Sequence, residues 1–435
     1  MSVTDRRAAL QSTALYTGVA VLATVVVYMS IGPESRDDSH WWRGVLAALG
    51  IVFTLAWAGL HVAAPHVKRI GADVLRSVMI VTVVFGWFNY YQFDKKVFDG
   101  LGDYTDITYY YVNSKYLGEL GYFGLYPAMI LADAEGPKRH SAAVKHYRDL
   151  RDYEEKPVEV ALQHGRQIKA ESFTPERWEE FAHDADYFLS RKSTRSMTGN
   201  FYVDHGYNPP PTWSVPGKFL ADLAPAENVK SIALVDVGIV AGMFAVVAWA
   251  FGIDAMLFAM LFFVTTFSGR WPILGEALLR FDWVSALVVS MCMLKKEKWA
   301  LAGGFLAYAA LNRVFPAIFF FGWGIVFLID TYRHRKLLTK HLHFIAGAGA
   351  VSVFLIGMAL VQFGPQTFKD STRNLLMHNK SYSSHRVGLG DLALFRGEKT
   401  RAEMNRTTYE HGPGGRPTRG IQAKEYILRD NQLQA

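Results

Sequence analysis

An acidic and aromatic stretch, GDYTDITYYYVNSKYLGELGYFGLY (102–126), holds the residues of this chain that are best suited to chemistry. It follows soon after a long apolar run, which predicts that Asp106 lies near a boundary between lipid and water. A carboxylate there, beside Tyr109 and Tyr110, suits a general base acting on a hydroxyl group, and aromatic rings suit stacking against sugars. The alternative is an interfacial tyrosine belt in which Asp106 is a solvated helix cap.

The spacing within this stretch predicts how a helix would arrange it. Asp106, Tyr110 and Asn113 would fall on one helical face. Lys115 and Glu119 are four residues apart, the spacing of an ion pair along a helix.

A second candidate site is the segment DHGYNPPPTWS (204–214). His205, Tyr207 and Asn208 are polar groups that could form one wall of a pocket, while a purely structural turn explains them equally well. The three consecutive prolines predict an extended polyproline segment and exclude a helix there.

Charged residues at the edges of apolar runs form a third group. Arg280 lies in LLRFDW, and Arg313 lies in ALNRVFP. Ionisable residues at membrane depth are costly and therefore indicate function, and an arginine there suits a lipid phosphate. Snorkelling, or pairing of Arg280 with Asp282, is the alternative. The segment HNKSYSSHRVGLGD (378–391), with His378, is a further possible phosphate- or sugar-facing loop.

Composition and missing motifs exclude several protein classes. No P-loop, dinucleotide-binding glycine motif, HExxH or nucleophile elbow occurs, and the single cysteine, Cys292, rules out an intramolecular disulfide. The net charge of +7 is explained by membrane-anchoring Lys and Arg residues, so no nucleic-acid partner is expected.

Apolar runs dominate the chain and predict an all-α polytopic membrane protein. A helix needs about 20 residues to cross the hydrocarbon core. Six runs are of that order and three shorter ones are expected to span with tilt or burial, which gives about nine transmembrane helices. The long runs are 12–32, 43–65, 74–93, 231–252, 314–331 and 342–363, and the shorter ones are 253–268, 283–294 and 299–311.

The bias of Lys and Arg among short loops predicts a cytoplasmic N-terminus. The sequence then divides into a two-helix hairpin, a helix leading to the acidic stretch, a largely helical extracytoplasmic module, a helix bundle and an extracytoplasmic tail. Their ranges are 1–73, 74–93, 94–230, 231–363 and 364–435. Within the module, Thr174 as a cap, Pro175 at the first helical position and apolar residues at helical spacing predict an amphipathic helix over 174–192.

The order of these features resembles the GT-C superfamily of integral-membrane glycosyltransferases, in a bacterial, polyprenyl-phosphate-sugar-dependent branch. The resemblance rests on KYLGELGYFGLY, DHGYNPPPTW, RFDW, NRVFP and HNKSYSSHRVGLGD, and covers about residues 74–392. It implies transfer of a hexose or pentose from a polyprenyl-phosphate donor to an acceptor outside a bacterial inner membrane.

By this resemblance the catalytic base falls on Asp106, with Asp103 as the near alternative. Arg313 and Arg280 would bind the donor phosphate. The implied substrate-binding residues are Tyr109, Tyr110, Asn113, His205, Tyr207, Asn208 and His378. DYTD is not a DxD metal motif, so no metal or other cofactor is expected.

Two other functions remain open. The polar tail and the extra N-terminal helices suit a catalytically inactive GT-C-like subunit of a larger complex, with other subunits docked on 12–65 and 364–435. A secondary transporter would need buried ionisable residues and broken helices at mid-membrane, and only Asn312 and Arg313 come near that pattern.

Overall fold

The computed structural model describes residues 18–19, 22, 36–62, 65–91, 104–266 and 278–380. The chain divides into two compact units. The first, which we call the bundle unit, comprises residues 1–107 and 228–354, and the second, the tyrosine-rich unit, comprises 108–227 and 355–435.

The described elements are almost all helices. They are α1 (Arg36–Val62), α2 (Pro65–Tyr91), α3 (Tyr104–Thr108), α4 (Leu117–Leu120), α5 (Leu125–Glu135), β1 (His146–Asp149), β2 (Glu154–Pro157), α6 (Val158–Ser172), α7 (Pro175–Leu189), α8 (Thr194–Gly199), α9 (Pro211–Asp222), α10 (Val229–Ala233), α11 (Val235–Phe251), α12 (Ile253–Thr265), α13 (Asp282–Lys295), α14 (Trp299–Asn312), α15 (Ile318–His334) and α16 (Thr339–Lys380). A π-helical turn, Tyr109–Asn113, follows α3, and short 3-10 turns cover Ser141–Ala143, Phe201–Val203, Ala226–Asn228 and Phe315–Ala317.

Five helical stretches in the described ranges are long and apolar enough to cross a membrane, which is the character expected of a membrane protein. They are Trp41–Leu60, Ile70–Tyr91, Ala226–Phe251, Phe315–His334 and Thr339–Met377. The predicted run 12–32 lies almost wholly outside the described residues. The three shorter runs form helices α12, α13 and α14 of 13, 14 and 14 residues, and the nine-span count stays a prediction.

Apolar side chains from four helices form the main core of the bundle unit. Phe53 of α1, Val83 of α2, Phe244 of α11 and Leu261 of α12 are among its buried members. A second cluster joins α13, α14 and α16 through Met293, Leu306 and Phe344. Transmembrane helices pack through such contacts and through small residues, because lipid is as apolar as the side chains themselves.

Two glycines let α14 and α16 approach closely. A Cβ atom on Gly303 would lie 2.0 Å from the carbonyl oxygen of Phe344, and one on Gly347 would lie 1.9 Å from that of Ala300. The two backbones are therefore in direct contact, and a larger residue at either position would force the helices apart.

The helices of the bundle unit place two different sets of charges at its two ends. At one end Asp236, at the start of α11, accepts a hydrogen bond from the backbone N–H of Arg280, just before α13. At the other end Lys296, just after α13, lies over the ring of Trp249 near the end of α11. We call these the Asp236 end and the Lys296 end.

The predicted amphipathic helix of the tyrosine-rich unit is confirmed as α7. The Thr174 side chain accepts a hydrogen bond from the N–H of Arg177, and Pro175 is the first helical residue. The predicted apolar stripe, which includes Phe181 and Phe188, is buried. An antiparallel hairpin, β1–β2, pairs His146 with Pro157 and Asp149 with Glu154, and no strand was expected from the sequence.

Two predictions of local structure are wrong. Pro211 does not extend a polyproline segment but begins α9, because the first turn of a helix needs no N–H from that residue. Lys115 does not pair with Glu119, since the helix is interrupted at Tyr116. Helix α16 also continues past the predicted run 342–363 to Lys380, with a break at Gly364, whose φ is +76°.

Candidate functional site

An ion pair joins the predicted base to one of the predicted phosphate ligands. The Arg280 Nη2 atom lies 2.7 Å from Asp106 Oδ2, and both residues belong to the bundle unit. The Asp106 side chain is 31% exposed and that of Arg280 is 16% exposed. The pair is therefore partly open to solvent, and a competing anion could reach it.

A buried carboxylate fixes the turn that carries Arg280. Asp236 is fully buried, and its two oxygens accept the backbone N–H groups of Arg280 and Phe281 at 2.9 and 3.2 Å. The preceding residues Leu278 and Leu279 have φ values of +66° and +48°, which are uncommon and costly for residues other than glycine. Asp236 thus offsets the local backbone strain and fixes the backbone position from which the Arg280 side chain extends.

A second buried carboxylate organises the neighbouring helix ends. Asp282 Oδ2 accepts hydrogen bonds from the Tyr308 hydroxyl at 2.9 Å and from the Asn312 amide at 3.3 Å. Asp282 follows Arg280 by two residues, and Asn312 directly precedes Arg313. The two predicted phosphate ligands therefore each adjoin, along the chain, a residue that a buried carboxylate holds at the Asp236 end.

Arg313 differs from Arg280 in its partners. Its side chain is half-buried, and it makes no hydrogen bond or ion pair with any residue that the structure describes. Its charge acts on the buried carboxylate of Asp282. Arg313 thus differs from Arg280, whose guanidinium is bonded to Asp106.

The tyrosines predicted to line a sugar site lie instead in the packed interior of the tyrosine-rich unit. Tyr109 is 4% exposed, its ring stacks on Phe201 at 4.7 Å, and its hydroxyl lies 2.9 Å from that of Tyr126. Tyr110 is 6% exposed and packs edge-on against Trp213. The π-helical turn directs all five residues from Tyr109 to Asn113 inward.

The segment 204–214 is divided between interior and surface. The hydroxyl of Tyr207 is buried and lies 2.6 Å from that of Ser214. His205 is half-buried beside the ring of Tyr153, and Asn208 is exposed. The interpretation as a structural turn therefore fits Tyr207, whereas His205 and Asn208 keep surface for a ligand.

Two predicted site residues cannot be placed. Asp103 lies outside the described residues, and His378 lies within α16 but its side chain is not among those described. Their predicted roles stay predictions.

Asp236 and Tyr308 are not among the site residues predicted from the sequence. A signal existed for Asp236, which is a lone acid in the apolar run LVDVGIV. Tyr308 carries no such signal, because a tyrosine in an apolar helix is ordinary. Its role depends on the distance to Asp282, which only the fold supplies.

No group of three or more His, Cys, Asp or Glu side chains suited to a metal ion occurs among the residues that the structure describes. Comparisons of the chain with family models, curated proteins and solved structures give no match. The function must therefore be argued from the arrangement of charges at the Asp236 end.

Proposed function

We propose that this chain is a membrane glycosyltransferase that moves a sugar from a polyprenyl-phosphate donor to an acceptor outside the membrane. The observation that carries the proposal is the Asp106–Arg280 ion pair, with a second arginine, Arg313, whose charge acts on the nearby carboxylate of Asp282. A base and two phosphate ligands are the groups that such a transfer requires.

In the proposed reaction the donor phosphate binds Arg313 first, because that guanidinium is not engaged by another described side chain. The phosphate then competes with Asp106 for Arg280, and the carboxylate is released toward the acceptor. Bidentate arginine–phosphate bonds are strong enough to replace a partly exposed ion pair.

The transfer step is a single displacement with inversion at the anomeric carbon. Asp106 takes the proton of the acceptor hydroxyl as its oxygen bonds to that carbon. The bond between the carbon and the phosphate oxygen breaks, and its electron pair leaves with the polyprenyl phosphate. Arg280 and Arg313 stabilise the negative charge that develops there.

The test is the substitution Asp106→Asn, assayed for transfer from a polyprenyl-phosphate sugar to acceptor in proteoliposomes. The amide still accepts a hydrogen bond from Arg280 but cannot take a proton, so turnover is expected to fall at least about 100-fold. Turnover near that of the wild type would contradict the role of Asp106 as base.

The matched control is Asp254→Asn, which alters another arginine–aspartate pair of the bundle unit. Arg76 bonds Asp254 through Nε and Nη2 at 2.5 and 2.9 Å, and both side chains are partly exposed. Transfer is expected to survive this change, which separates loss of the base from loss of an ion pair.

A specific observation favours the second candidate, a catalytically inactive subunit of a membrane complex. The three tyrosines expected at a sugar site, Tyr109, Tyr110 and Tyr207, are buried, and Asp106 is paired with Arg280. Such a subunit would show no transfer in the wild type and would purify with partner polypeptides in fixed ratio.

A further inference from the structure

The Lys296 end of the bundle unit carries a dense group of cations on two separate turns. Segments 295–298 and 330–341 together contain seven Lys or Arg residues and two carboxylates, Glu297 and Asp330. One segment lies between α13 and α14, and the other contains the turn between α15 and α16. We call these two segments the basic patch.

Helix packing brings the two segments together. The direct backbone contact of α14 with α16 at Gly303 and Gly347 aligns these helices. Lys340, at the start of α16, lies with its Nζ atom 5.9 Å from the ring centre of Trp299, at the start of α14. The patch is thus one surface rather than two isolated turns.

Aromatic rings lie directly beneath some of these cations. Lys296 lies over Trp249 at 5.0 Å, and Arg335 lies over Tyr332 at 5.0 Å. Trp249 is 51% exposed and Tyr332 is 71% exposed. Exposed Trp and Tyr at the ends of apolar helices are typical of the depth of lipid headgroups.

Four exposed cations of the patch have neither a carboxylate partner nor an aromatic ring beneath them among the described residues. Asp330 is already bound by Lys340 and His341, at 2.5 and 3.0 Å. Four other side chains are exposed and make neither an ion pair nor a cation–π contact with any residue in the described ranges. These are Lys295, Lys298, Arg333 and Lys336.

We propose that the basic patch binds the headgroups of anionic phospholipids. Clusters of four to eight Lys or Arg residues next to a membrane-crossing helix attract anionic lipid, at about 1 kcal/mol for each residue near the surface. Exposed apolar side chains at the same end, among them Phe251 and Leu337, suit the acyl chains of the same lipid. An acidic protein would match the charge, but aromatic rings and exposed apolar groups beside cations at the end of a membrane-crossing helix are typical of the lipid headgroup region.

The experiment compares lipid binding to the full chain in detergent, by native mass spectrometry, with short-chain phosphatidylglycerol and phosphatidylcholine as probes. The wild type is expected to prefer phosphatidylglycerol by about tenfold or more. Alanine at Lys295, Lys298, Arg333 and Lys336 together is expected to reduce that preference to within about twofold. A milder variant, Lys295→Gln with Lys336→Gln, should give an intermediate preference and guards against misfolding.

The matched control removes four exposed cations of the tyrosine-rich unit, Lys138, Lys145, Arg166 and Arg195, and should keep the preference. An unchanged preference in both patch variants would overturn the proposal, and so would an equal loss in the control. Inorganic phosphate is the third probe. Displacement of phosphatidylglycerol by equimolar phosphate would show a site for free anions and would also overturn it.

Discussion

Asp106 and Tyr109 are three residues apart, yet the structure gives them opposite surroundings. Asp106 is in a partly exposed ion pair that an anion can compete for. Tyr109 is buried in the tyrosine-rich unit, where its ring and its hydroxyl both have partners. The stretch that the sequence analysis treated as one site is thus divided between a charged helix end and a packed aromatic core.

This difference separates charged residues that a ligand can reach from aromatic residues that are packed in the interior. The Asp236 end holds a partly exposed ion pair, Asp106–Arg280, which in the proposed reaction changes partners when the donor phosphate binds. In the tyrosine-rich unit, by contrast, the Tyr109 hydroxyl is held by Tyr126 and the carbonyl oxygen of Phe201, and the Tyr207 hydroxyl by Ser214, which stabilises the fold. Changes in the two regions should therefore have separate consequences, on transfer for the first and on unfolding for the second.

The largest expected effect on stability comes from Lys115→Ala. Lys115 is buried and lies 2.7 Å from Asp184 and 2.8 Å from Glu180, and the Tyr116 hydroxyl also donates to Asp184. Removing one partner of a buried pair leaves an uncompensated charge and costs about 3–5 kcal/mol in the free energy of unfolding. Denaturant unfolding followed by tryptophan fluorescence measures the change.

Arg139→Ala is the control for this prediction. Arg139 pairs with Asp186 at 2.5 Å, but the side chains are 39% and 33% exposed. Exposed pairs contribute about 0–1 kcal/mol, so the two variants should differ clearly. Equal losses would mean that burial does not distinguish these pairs.

An intermediate effect is expected for Asp149→Asn in the β1–β2 hairpin. Burial would raise the pKa of Asp149, but hydrogen bonds from Arg151 and Lys156 hold it well below its usual value. The charged form therefore stabilises the fold above the unfolded pKa of about 4, and this contribution is lost as the pH falls further, through the folded pKa.

The wild type should exceed the Asp149→Asn variant by about 1–3 kcal/mol in unfolding free energy at pH 7. The difference should shrink as the pH is lowered below about 4. Thermal unfolding at a series of pH values checks this. A difference that does not change with pH would show that the charge of Asp149 is not what stabilises the hairpin.

The smallest effect is expected for Tyr109→Phe. The change removes a hydroxyl that contacts Tyr126 and the carbonyl oxygen of Phe201, which costs about 0.5–1.5 kcal/mol of unfolding free energy. Transfer is expected to stay near the wild-type rate. Loss of transfer with unchanged stability would indicate that Tyr109 acts in substrate binding. It would contradict the proposal that the tyrosine-rich unit affects stability and not transfer.

Features with a local cause could be predicted from the sequence. The cap at Thr174, the proline at the first position of α7 and its buried apolar stripe all depend on neighbouring residues. Five long apolar runs likewise correspond to five helices able to cross a membrane. These features follow from hydropathy, periodicity and capping alone.

Features that depend on distant contacts could not be predicted. Arg280 meets Asp106 across 174 residues of chain, and no spacing rule relates them. The inward direction of Tyr109 and Tyr110 follows from a π-helical turn, which a helical-wheel argument cannot produce. The start of α9 at Pro211 was missed because a run of prolines was interpreted as a single extended segment.

The most direct test of the proposed function is mass spectrometry of the lipids and polypeptides that purify with the chain from its native membrane. The proposal predicts a bound polyprenyl phosphate in the wild type, depleted in Arg313→Ala but retained in Arg139→Ala, with no stoichiometric protein partner. Partner subunits in fixed ratio, without such a lipid, would contradict it and would identify the chain as a structural subunit.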